Sequence, residues 1–139
     1  MTETITLNTL GPHSPKYTAE VAWGLAECVR VLNYATGSSA AAGIAYPVTV
    51  YELLGALSTT TGRMPQLLSQ LARWLEDRMR AGALADDRDG DVGAAVADAR
   101  GALDRARSSV ADATAALQDA QNAIGGLRSA LDSAEGGAQ

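Results

Sequence analysis

The chain has 139 residues, enough for one modest domain with an extension. Its net charge of −5, with only 11 basic residues, speaks against general polyanion binding, which needs clustered Lys and Arg. One Cys (Cys28) and one His (His13) exclude an intrachain disulfide and a zinc site supplied by one chain, so no cofactor or metal is expected. Met1 to Leu10 carries neither a basic leader nor an apolar segment, and no run approaches the ~18 apolar residues of a membrane span. A cytoplasmic setting without membrane contact is the expectation.

The run Thr4-Ile5-Thr6-Leu7-Asn8-Thr9-Leu10 alternates briefly before Gly11-Pro12 stops it. It reads as an extended arm over 1–13 that docks Ile5, Leu7 and Leu10 onto helices, or that is exchanged between copies. Ser14-Pro15 opens a first helix, with Ser as N-cap and Pro in the first turn, where its missing N–H costs nothing. Tyr17, Val21, Leu25, Cys28, Leu32 and Ala35 recur at helical spacing up to Gly37, so Cys28 reads as a small core residue and not a nucleophile.

After a Gly- and Ser-rich connection, Thr49 and Glu52 stand at capping-box spacing. A second helix over 50–58 is expected to stop in Thr59-Thr60-Thr61-Gly62. A third, with Pro65 near its start and Leu67, Leu68, Leu71, Trp74, Leu75 and Met79 on its apolar side, ends at Gly82. These three short helices are expected to form one core over 14–84.

Residues 85–91 form an acidic linker. With Gly90 at the sixth position of a calcium loop, Ala85 and Val96 fall where the first and last ligands belong, so Asp91 reads instead as the N-cap of the next helix.

From Val92 the apolar residues return in alternating steps through Val96, Ala99, Leu103, Ala106, Val110, Ala113, Leu117, Ala120, Ile124, Leu127 and Leu131 to Ala134. This predicts one long Ala-rich heptad helix over 92–135, with a tail at 136–139. Alternate layers are mostly Ala, which favours close packing in a bundle or an antiparallel coiled coil over a leucine-zipper dimer. Such a helix would extend ~65 Å, while each upstream helix would span only ~30 Å. A second copy, most economically in a dimer, or a helical partner would then cover the remainder.

No phosphate loop or dinucleotide fingerprint is present, and Asp98, Asp104, Asp112, Asp119 and Asp132 fall on the outward face of the long helix. An enzyme is not expected. The alternative to an assembly or adaptor protein is a dimeric DNA-binding regulator. In that reading 50–80 forms a helix-turn-helix that presents Arg63, Gln66, Ser69, Gln70 and Arg73 to DNA. Against it stand Glu76 and Asp77 and an overlong turn.

The run Tyr46-Pro47-Val48-Thr49-Val50-Tyr51-Glu52-Leu53-Leu54-Gly55-Ala56-Leu57, then Gly62-Arg63-Met64-Pro65-Gln66-Leu67-Leu68, resembles small helical proteins of actinomycetes and their mobile elements. Val29 to Thr36 adds to the likeness, which spans mainly 15–85. It implies a bacterial or phage setting and carries no mechanism and no site residues.

Overall fold

The computed structural model describes residues 5–37 and 43–130. Among these residues the elements are three helices and no strand: α1 Pro15–Thr36, α2 Pro47–Arg80 and α3 Val92–Ile124. The all-α class expected from the periodicities is the class observed. The chain divides into two compact units, Met1–Ala45 and Tyr46–Gln139, so the expected three-helix core over 14–84 is replaced by a division that groups α2 with α3.

In the first unit, the Ser14 side chain accepts the Tyr17 N–H and Pro15 opens α1. The arm folds back on this end. The Tyr17 hydroxyl donates to the Thr6 carbonyl at 3.0 Å and accepts the Asn8 N–H at 2.8 Å, and its ring stacks on His13. Ile5 lies against Gly24 of α1. Leu7 and Leu10 do not dock; both are exposed. Cys28 is exposed as well: it lies on the row of Tyr17, Val21, Gly24, Leu32 and Ala35, but none of its side chain's neighbours within this unit covers it. Most of the connection expected over 37–43 lies outside the described residues.

The second unit is an antiparallel helical hairpin. Its helices match in length: 34 residues in α2 and 33 in α3, each ~50 Å at 1.5 Å per residue. The two short helices and the turn expected over 50–80 are not formed; α2 runs unbroken from Pro47, with Thr49 inside it and no capping box. Three features of the sequence that read as a turn are accommodated within the helix. Thr60 and Thr61 turn their hydroxyls back onto the carbonyls of Ala56 (2.8 Å) and Leu57 (3.1 Å), satisfying them locally. Gly62 sits where α3 passes close by. Pro65 costs a backbone hydrogen bond, on the order of 3 kcal/mol, which the burial of Leu54, Leu68, Leu75 and Met79 along the hairpin offsets.

The turn and the helix make opposite predictions for Gly62. In a turn with positive φ, a side chain there is strained; in the helix, an added Cβ meets only Thr114 Cγ2 at 3.7 Å, an ordinary contact. Gly62→Ala is therefore expected to stabilise the hairpin by about 1 kcal/mol, raising Tm by about 4–8 °C. Thermal melting followed by circular dichroism checks this, and a lowered Tm would favour the turn.

α2 ends in a Schellman motif. Gly82 takes φ +65° while its N–H bonds the Met79 carbonyl and the Ala83 N–H bonds that of Arg78, each at 3.0 Å. The acidic linker turns on Asp86, whose carboxylate accepts the Arg88 N–H at 2.8 Å. Asp91 caps α3 by accepting the Ala94 N–H at 3.1 Å, as its position predicts. The far end differs from expectation: α3 stops at Ile124, with Gly125 as its C-cap, and Leu127 lies beyond it. Two consecutive glycines lower helix propensity by about 2 kcal/mol relative to Ala, and the α2 helix opposite has reached its own start by this level, since Gly125 lies opposite Tyr51. Leu131 and Ala134 lie outside the described residues.

Candidate protein-interaction face

Two rows of residues run along α2, one position apart. Leu54, Ser58, Thr61, Pro65, Leu68, Ala72, Leu75 and Met79 form the covered row, at alternating steps of four and three. All are half-buried except Ser58, which at 6% exposure is fully buried. Small side chains here let α3 approach closely. A Cβ added at Gly55 would fall 2.6 Å from the Gln121 amide nitrogen, which donates to the Tyr51 carbonyl at 3.1 Å. Midway along, the Thr114 hydroxyl bonds the Thr61 hydroxyl at 2.8 Å. Near the closed end Arg100 of α3 pairs with Glu76 of α2. Arg80 reaches the same carboxylate at 3.8 Å. These polar ties at three levels fix the register of the hairpin more than they add stability, since exposed ion pairs contribute under ~1 kcal/mol.

On α3, Val96 is the one apolar residue buried to 6% exposure among those described. Ala99, Leu103, Ala106, Val110, Leu117 and Ile124 of the expected seam are half-buried. Ala113 and Ala120 are exposed, and Thr114 and Gln121 take their places against α2. A straight helix drifts ~20° per heptad against a 3.5-residue repeat, so the ~40° accumulated between Val96 and Val110 is enough to turn Thr114 toward α2 in place of Ala113, while Leu117 and Ile124 stay covered. Leu127, past the end of α3, is 63% exposed. Within α3 the large residues of the seam are therefore covered by α2 of the same chain, while Ala113, Ala120 and Leu127 are left exposed.

The second row of α2 is the one left open. Val50, Leu53, Leu57, Thr60, Met64, Leu67, Leu71 and Trp74 repeat in steps of three and four. The first five are half-buried, and the last three are 52%, 48% and 54% exposed. The Arg78 guanidinium lies over the Trp74 ring, 5.4 Å from its centroid, at the end of the row. An aromatic side chain presents roughly 150–250 Å², so the open half of this row amounts to about 300 Å², comparable to the largest apolar patch of a typical monomer, which is often functional.

The residues expected to read DNA lie beside this row. Arg63, Gln66, Gln70 and Arg73 are exposed, and Ser69 is half-buried, its hydroxyl donating to the Pro65 carbonyl at 2.9 Å. They belong to the middle of one continuous helix, and the turn that would aim a recognition helix into a groove is absent. Among the described residues no cluster of His, Cys, Asp and Glu is arranged to hold a metal ion, and no helix is long and apolar enough to cross a membrane. The open row was hidden in the sequence because its residues are divided between two helices once 59–62 is read as a turn. Read through that segment, the periodicity reveals it. Compared with known proteins, the chain matches no family model, no curated protein and no solved structure.

Proposed function

We propose that this protein is a non-enzymatic helical assembly component that self-associates through its α2–α3 hairpin. One observation carries the reading. Leu67, Leu71 and Trp74 lie on a single face of a well-formed helix and are about half exposed, in a hairpin whose two helices bury little else completely. Burying such a face against a second apolar helix removes area from water at about 25 cal/mol per Å². A two-helix hairpin gains a core by this step, as four-helix bundles do. The seam on α3 then has a structural role within the chain, and α2 supplies the surface between chains.

Concentration dependence tests the reading. A chain whose unfolding is coupled to dissociation melts at a higher temperature when it is more concentrated, by mass action. Tm is expected to rise by several degrees across a hundredfold range of concentration. A Tm independent of concentration, together with the monomer mass throughout, would count against self-association.

A further inference from the structure

The charges flanking the open row indicate how the two copies meet. We propose that the occupant of this row is α2 of a second copy, running antiparallel about a two-fold axis near Ser69; this deepens the self-association reading and rests on it.

The open half of the row, Met64, Leu67, Leu71 and Trp74, is centred on position 69. An antiparallel partner with its axis there sets Leu71 against Leu67 of the other copy and Met64 against Trp74, each pair occurring twice. Large then meets small at both ends of the patch, and the three exposed side chains and the half-buried Met64 of each copy are all matched. Closed two-fold symmetry of this kind is self-complementary and leaves no end open for further growth.

The second observation is electrostatic. On the side of the row away from α3, the flanking positions are Arg63, Gln70 and Asp77, seven residues apart. The same two-fold axis brings Gln70 beside its own copy and Arg63 beside Asp77 on both sides of it, as flanking positions of antiparallel coiled coils pair with their like. Among the described residues Arg63 is exposed and makes no hydrogen bond or ion pair, and Asp77 pairs with Arg80 alone, at 3.1 Å. A parallel in-register pair instead sets Arg63 toward Leu68 and Asp77 toward no cation at all. On the opposite side of the row, toward α3, Leu68 and Leu75 carry no charge to select between the two orientations. The apolar row is symmetric about position 69 and the flanking charges about position 70, and this near-coincidence favours the antiparallel arrangement.

The test uses the full chain with Cys28→Ser, since Cys28 is the only and an exposed thiol. In that background Gln70→Cys is expected to form a disulfide-linked dimer under mild oxidation. Arg63→Cys alone is not, because two copies of position 63 stand about 18 Å apart along antiparallel helices. An equimolar mixture of Arg63→Cys and Asp77→Cys chains is expected to cross-link. In parallel, Arg63→Asp and Asp77→Arg are each expected to weaken dimerisation by about tenfold, and the double variant is expected to recover it. Circular dichroism of each variant confirms that the helices are kept. If the chain is a dimer by light scattering but the mixed pair does not cross-link and the double variant does not recover, the antiparallel arrangement is wrong while self-association stands. If the unaltered chain is a monomer at every concentration, both fall.

Discussion

Replacing Leu71 and Trp74 together by Ala is expected to leave the helical content of the chain unchanged and to dissociate the proposed dimer. Both side chains are about half exposed, so neither is needed to close the hairpin. Truncating an apolar anchor of an interface costs ~1 kcal/mol or more, and each of the two occurs twice in a two-fold dimer, about 4 kcal/mol together. The dissociation constant is expected to rise by about three orders of magnitude or more. Arg78→Gln removes only the cation lying over Trp74, and its effect is expected to stay within about tenfold. Sedimentation or light scattering gives the association, and circular dichroism gives the fold. A double variant that associates as well as the parent would show that the open row is not the contact surface.

The second large effect is on folding. Val96 lies among Leu75, Leu84, Val92 and Ala99 at the closed end of the hairpin, where the linker returns the chain to α3. An aspartate there joins the Asp86 and Asp87 carboxylates that line the same space, with Arg88 the one cation among its lining residues. Val96→Asp is expected to destabilise the chain by about 3–4 kcal/mol. Val96→Ala loses apolar contacts without adding a charge and is expected to cost about 2 kcal/mol. Chemical denaturation measures both. Equal effects would mean that this end of the hairpin admits water freely.

Several parts of this architecture can be read from local residue chemistry. Ser14 before Pro15 and Asp91 before Val92 each place an oxygen where a helix start has unpaired N–H groups, and both caps form as expected. Gly82 stops α2 because the Schellman turn needs positive φ there. From Val96 to Val110 the heptad positions are also the covered positions.

The misread features depend on tertiary context. Thr59, Thr60, Thr61, Gly62 and Pro65 together resemble a break, yet each is tolerated inside a helix when a partner of equal length lies alongside. The threonine hydroxyls bond backward, Gly62 takes ordinary helical geometry with room to spare, and the leucines on either side supply the burial that offsets Pro65. The slip from Ala113 to Thr114 was hidden for a related reason. Alanine fits a covered or an exposed position equally well, so an alanine row carries little information about phase. Thr114 and Gln121 reveal the true face only through their hydrogen bonds to α2. Splitting α2 in two also gives helices of unequal length, which call for a second copy; the unbroken helix removes that mismatch, and its open row is what favours a partner.

Light scattering of the unaltered full chain, from low micromolar to near-millimolar concentration, tests the central claim most directly. Twice the chain mass over most of that range, falling toward one at the dilute end, is the expected result. The mass of a single chain at every concentration would contradict it and leave the row of Leu67, Leu71 and Trp74 without a second copy to cover it.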